Sequence, residues 1–163
     1  MLFMLNKPMT EAQFDEIKSR AESFYKSCGK VFCPYFNEMV SFNAKGLYHL
    51  KFNSSHLART REEQFIRFKL IYLAPEVIRL SRTLQGITHT KNFELFKTNN
   101  RTERVLKTVS YYEFIAILEN KRVRVVIKQI ENNPKYFWSI IPFWKTDKVT
   151  FQRKMHSPNL END

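Results

Sequence analysis

The run Tyr111-Tyr112-Glu113-Phe114-Ile115-Ala116-Ile117-Leu118, followed by Val123-Arg124-Val125-Val126-Ile127-Lys128-Gln129-Ile130 and then Tyr136-Phe137-Trp138-Ser139-Ile140-Ile141-Pro142, decides the fold. Each segment is rich in β-branched and aromatic residues. Turn material separates them. Asn120-Lys121 suits a two-residue hairpin turn, and Asn132-Asn133-Pro134 suits the second connection. Three such segments at close spacing predict an antiparallel meander. Arg124 and Lys128 stud the otherwise apolar ribbon, which makes it a candidate face for nucleic acid.

Upstream, Thr10-Glu11-Ala12-Gln13 is a capping-box pattern. Phe14, Ile17, Ala21, Phe24, Tyr25 and Cys28 follow at the spacing of one helix face, and Gly29 is a stop signal. Met39-Val40-Ser41-Phe42 alternates as a strand, Asn43-Ala44-Lys45-Gly46 is turn material, and Leu47–Phe52 reads as a second short strand. In that reading Leu47, His49 and Lys51 share one face. A second capping box, Thr60-Arg61-Glu62-Glu63, opens a helix carrying Phe65, Phe68, Tyr72 and Leu73, which Pro75 should kink or split. Phe93–Phe96 and Val105–Val109 read as strands around a turn at Asn99-Asn100. Helices first and strands last predict an α+β fold, with N-terminal helices packed on one face of a C-terminal antiparallel sheet of about four strands. The expected organisation is a single domain over residues 1–150 and a polar, flexible tail over 151–163.

The chain has 163 residues, 43% of them hydrophobic, enough for one ordinary core. Its formal charge is +11 and its pI is near 9.7. Residues 1–40 hold five basic and five acidic side chains, so the whole excess lies after residue 40. Polyanion binding is the natural reading. Cys28 and Cys33 have no second Cys or His pair to complete a metal site. No run reaches the ~20 apolar residues of a membrane span, and the apolar start Met1–Leu5 is too short for a signal peptide. We expect a cytoplasmic protein with no cofactor, no metal and no membrane partner. Phosphate-binding loops, dinucleotide glycine motifs, zincin motifs, zinc fingers and nucleophile elbows are absent, and 3 Gly leave little for a glycine-lined cradle.

What remains open is metal-independent RNA cleavage, in which the ribose 2′-hydroxyl attacks its own phosphate. Such a site needs proton transfer and charge neutralisation. His49 is the leading acid/base candidate. Lys51, Arg67 and Lys128 are candidate phosphate binders, with Arg61 and Arg124 adding positive charge. Ser139 can hydrogen-bond a phosphate oxygen, and Tyr136 or Trp138 can stack on a base. Each has a plainer counterpart. A lone His is more often structural, Lys128 fits ordinary strand alternation, and Trp138 fits core packing. His56, His89 and His156 fall in expected loops or the tail.

Taken together, Val40 through Leu50, Arg61 through Tyr72, Val123 through Gln129 and Phe137-Trp138-Ser139-Ile140-Ile141-Pro142 resemble the phage and mobile-element branch of the barnase–EndoU–colicin–RelE-like nuclease superfamily. The resemblance spans roughly residues 30–145. It implies helices followed by an antiparallel sheet and a metal-independent endoribonuclease, often a toxin or an effector in conflict between mobile elements and hosts. It also implies His49 as acid/base, Arg67 and Lys128 near the phosphate, and Ser139 on the late strand. The partners implied are RNA and an acidic antitoxin or immunity protein. The competing readings are a non-catalytic basic nucleic-acid-binding module and an interaction protein that docks an acidic partner.

Overall fold

The computed structural model describes residues 8–146, 153–155 and 161. Helix α1 (Glu11–Cys28) opens with a complete capping box: Thr10 Oγ1 accepts from Gln13 N, and Gln13 Oε1 accepts from Thr10 N. Thr60 and Glu63 repeat the device at the head of α3 (Arg61–Leu70). Ile71–Leu73 tighten into a 3-10 turn. Helix α4 (Ala74–Leu80) then restarts with Pro75 in its first turn, where a backbone N–H has no intrahelical partner to lose. The break expected at Pro75 is therefore this tightened turn.

One segment differs in kind from its sequence reading. Ala44–Lys51, expected as turn and strand, is helix α2. Asn43 caps it, its side chain accepting from Gly46 N at 3.2 Å. Gly46, His49 and Leu50 are its buried residues, and their spacing is that of one helix face.

Strands β1 (Lys30–Cys33), β2 (Glu38–Ser41), β3 (Gly86–Thr98), β4 (Arg101–Leu118), β5 (Lys121–Ile130) and β6 (Tyr136–Pro142) make one sheet, ordered β1-β2-β6-β5-β4-β3. The sheet has six strands rather than about four, and it is mixed. β2 joins β6 in parallel through the single pair Ser41 and Tyr136, whereas the other neighbours are antiparallel. The hairpin turns at Asn99-Asn100 and Glu119-Asn120 have positive φ at both residues, as two-residue hairpins require. The second lies one residue before the expected Asn120-Lys121, because Leu118 pairs with Lys121. β7 (Trp144–Thr146) and β8 (Arg153–Met155) form a separate pair. Apart from β8 and Glu161, the expected tail lies outside the described residues. No helix among the described residues is long and apolar enough to cross a membrane.

The α+β layout, helices first and sheet last, is as expected. Phe114, Val125, Ile127, Phe137 and Ile140 of the sheet share a core with residues such as Phe14, Tyr25, Phe68 and Ile78 of the helices. Each such buried side chain stabilises the fold by about 1.5–3 kcal/mol. A second cluster, including Val109, Tyr111, Val126, Tyr136 and Trp138, forms separately from it. A register shift makes room for Trp138. Ile127 pairs with Phe137 and Val126 with Ser139, so Trp138 has no partner across the ladder. This is a β-bulge, which re-aims side chains locally.

Candidate active site

The site is built where α2 and α3 pack along β6. His49, in the last turn of α2, is only 1% exposed. Its ring stacks on the Trp138 indole at 3.8 Å between centroids and 18° between planes. The chain after α2 folds back through an antiparallel bridge between Phe52 and Ala58. That turn delivers Arg59, whose Nε donates to His49 O and whose Nη2 lies 2.9 Å from His49 Nε2. A guanidinium can only donate, so Nε2 is the acceptor and the ring proton sits on Nδ1. Arg67 of α3 donates from Nη1 to Ser139 Oγ at 2.7 Å. Lys128 of β5 lies 4.1 Å from the Trp138 ring centroid and 3.2 Å from Glu94 of β3.

Three cations thus surround one imidazole. Burial first, and then Arg59, Arg67 and Lys128, hold the His49 pKa down to about 2. Burial also pushes the Lys128 ammonium down, while Glu94 works against that shift. The His49 value has a consequence for stability. The unfolded chain takes up an imidazole proton near pH ~6.5 that the folded chain refuses. Stability should therefore fall as pH drops below ~6.5, with a slope approaching ~1.4 kcal/mol per pH unit from this residue. Urea unfolding across the range ~7 to ~4 measures it. His49→Gln should flatten the decline, and equal acid sensitivity in both proteins would remove His49 as its source.

Beside this cluster lies a cleft of about 710 Å³, a size typical of ligand sites. Trp138, Lys128 and Tyr136 line it together with Lys45 and Tyr48 of α2 and Asn92–Leu95 of β3. Glu161 reaches into the cleft. Its carbonyl accepts from Ser54 Oγ at 2.7 Å and from Trp138 Nε1 at 3.1 Å, and its carboxylate accepts from Asn92 Nδ2 at 3.0 Å. Tyr136 Oη is buried without a hydrogen-bond partner among the described residues, which leaves a donor for a ligand. Tyr48 Oη and His56 Nδ1, 3.3 Å apart, also border the cleft.

The four residues expected to be catalytic come together. Arg67 touches Ser139, and His49 and Lys128 both contact the Trp138 ring. All four are buried, Ser139 completely. The expected RNA contacts divide. Tyr136 and Trp138 line the cleft but are 5% and 8% exposed, so neither ring has a free face for a base. Arg124 is buried, 3.5 Å from Glu113 and 5.5 Å from the Phe143 ring centroid. Lys51 and Arg61 turn to α1, where Lys51 pairs with Glu22 at 3.0 Å and Arg61 pairs with Glu11. Comparison with protein-family models, curated proteins and solved structures finds no match. Sequence reasoning missed Arg59, which precedes a capping box and carries no local signal. It also missed Glu94, whose place depends on the pairing of β3. Among the described residues, no three His, Cys, Asp or Glu side chains gather to hold a metal ion.

Proposed function

We propose that the protein is a metal-independent endoribonuclease that takes an RNA phosphodiester into this cleft. One observation carries the reading. His49, Arg67, Lys128 and Ser139, supplied by α2, α3, β5 and β6, converge with Arg59 beside a cleft in a strongly basic chain. Lys128 has a carboxylate, Glu94, at 3.2 Å, and a phosphate brings further negative charge to Arg59, Arg67 and Lys128 alike. Phosphate oxygens are also better acceptors for the Arg59 guanidinium than a neutral imidazole nitrogen. An incoming anion therefore frees Nε2 and offsets the charge repulsion that adds to burial in keeping the ring neutral. Its proton affinity rises at the moment a base is needed. The ribose 2′-oxygen then bonds to phosphorus and its proton passes to His49, while the bond to the 5′-oxygen breaks and that oxygen takes a proton from a water molecule, leaving a 2′,3′-cyclic phosphate and a 5′-hydroxyl; the imidazolium then returns its proton to the solvent. Lys128, which lines the cleft, stabilises the crowded phosphoryl charge directly, and Arg67, bonded to Ser139 behind the lining, adds positive potential. A toxin or mobile-element effector role belongs to the same reading, with an acidic antitoxin or immunity protein as the natural inhibitor.

The second reading is a non-catalytic nucleic-acid-binding module. It is favoured by the Arg59 contact that occupies His49 Nε2 in the free protein. The test incubates purified protein with end-labelled single-stranded and transfer RNA in excess chelator. New fragments ending in 2′,3′-cyclic phosphate are expected. Salt-sensitive binding with intact RNA would leave only the binding module. An acidic protein partner that RNA fails to displace would leave only an interaction protein.

A further inference from the structure

Beyond the cleft, β3 and β4 run on with no third strand among the described residues. The ladder between β4 and β5 stops at Val109 and Ile130, yet Lys91–Thr98 continue to pair with Arg101–Thr108. This two-stranded arm extends about 27 Å at ~3.4 Å per residue. A two-stranded ribbon has no buried face of its own to stabilise it. Here Phe93, Leu95 and Leu106 are 62%, 70% and 50% exposed. Five cations are interleaved with them: Lys91, Lys97, Arg101, Arg104 and Lys107, against Glu94 and Glu103. Glu94 turns back to Lys128, which leaves the outer arm more basic still. Two cations already lie over rings, Arg104 over Phe93 and Lys107 over Phe96. The arm is also continuous with the cleft, because Phe93, Leu95 and Arg104 line both.

We propose that the arm is a second binding surface, which holds the single-stranded RNA chain leading away from the cleft. The inference rests on the nucleic-acid reading above. Cations at this density neutralise phosphates, and the exposed rings beside them offer stacking surfaces to unpaired bases. An arm of this length engages several nucleotides outside the reacting pair. It raises affinity for long RNA without touching the chemistry.

The test uses the full chain and residues of the arm that do not line the cleft. A Lys97→Gln, Arg101→Gln, Lys107→Gln triple variant and a separate Phe96→Ala variant are compared with the parent. Binding is measured by fluorescence anisotropy with a labelled single-stranded 2′-O-methyl uridine oligomer, which cannot be cleaved. The triple variant should bind at least tenfold more weakly, and its salt dependence should be shallower by about 2 in log–log slope, since each single-strand phosphate contact contributes ~0.7. Phe96→Ala should weaken binding to the oligomer but not to heparin, which has no bases to stack. Cleavage of a uridine dinucleotide, too short to reach the arm, should be unchanged in both variants. Parent-like oligomer binding by both variants overturns the proposal. So does a self-association seen by sedimentation that the triple variant abolishes while RNA binding stays intact. If the parent cleaves no dinucleotide and yet the triple variant loses oligomer binding, the nuclease reading fails and the arm stands.

Discussion

A His49→Gln protein should fold normally and cleave RNA at least ~100-fold more slowly than the parent, the usual scale for losing a positioned acid/base group. Glutamine suits the test better than alanine. Its side-chain oxygen can accept from Arg59 in place of Nε2, and its amide can lie against the Trp138 indole. Alanine would remove the imidazole acceptor of Arg59 Nη2, while leaving the bond from Nε to the His49 carbonyl, and would open a void under the indole, costing about 2–5 kcal/mol. A dead alanine variant would therefore report on folding as much as on chemistry. Glutamine cannot take up the proton, so the lost activity reads the imidazole alone. Thermal melting and the rate of cyclic-phosphate formation are the two measurements. Full activity in a well-folded His49→Gln protein would dismiss His49 as the proton carrier and direct attention to His56 at the border of the cleft.

Gly46→Ala is expected to lower stability by about 3 kcal/mol or more, at the upper end of overpacking penalties. A Cβ built there would lie 2.3 Å from Tyr25 Oη and 2.4 Å from the Phe137 carbonyl oxygen. Neither neighbour can yield easily. Tyr25 is 1% exposed and donates to Asn43 O at 2.6 Å, and Phe137 is strand backbone in β6. The helix must lift, which draws His49 off Trp138 and opens the site as well. Urea unfolding followed by tryptophan fluorescence measures both effects. Gly29 is the control. Its φ is +58° and its ψ is −102°, but a Cβ there meets nothing within 4 Å, so Gly29→Ala should cost about 1–3 kcal/mol from backbone strain alone, with the site left intact. Equal stability of Gly46→Ala and the parent would contradict the close seating of α2 on β6.

The same glycine explains where sequence reading stopped. The capping boxes at Thr10 and Thr60 are local devices and were legible in full. The meander was legible in outline, since it depends on short-range alternation and turns, but Val105–Val109 and Tyr111–Leu118, read as separate strands, are one strand, β4. Helix α2 was not legible. Gly46 reads as turn chemistry, whereas its place is set by the close approach of Phe137, far along the chain. Leu47–Phe52 alternate in polarity as a strand would, and only tertiary contact decides between the two periods. The bridge between Ser41 and Tyr136 leaves no local trace. For the site, residue types picked out His49, Arg67, Lys128 and Ser139, and nothing local foretold their burial or the role of Arg59. The turn at Glu119-Asn120 was displaced by one residue because Lys121 serves equally well as turn or strand.

β6 is the sixth strand of the sheet to be synthesised, yet it sits third in the sheet, between β2 and β5. Until Tyr136–Pro142 leave the ribosome, the strand pair β1–β2 has nothing to join it to the remaining strands. His49 lacks its indole and Arg67 its hydroxyl partner. Helices α1 to α4 can form early, but the pairings that complete the site are the most distant in sequence and so the last to close. For a protein proposed to cut RNA, this order of assembly keeps the chain inert until β6 takes its place between β2 and β5.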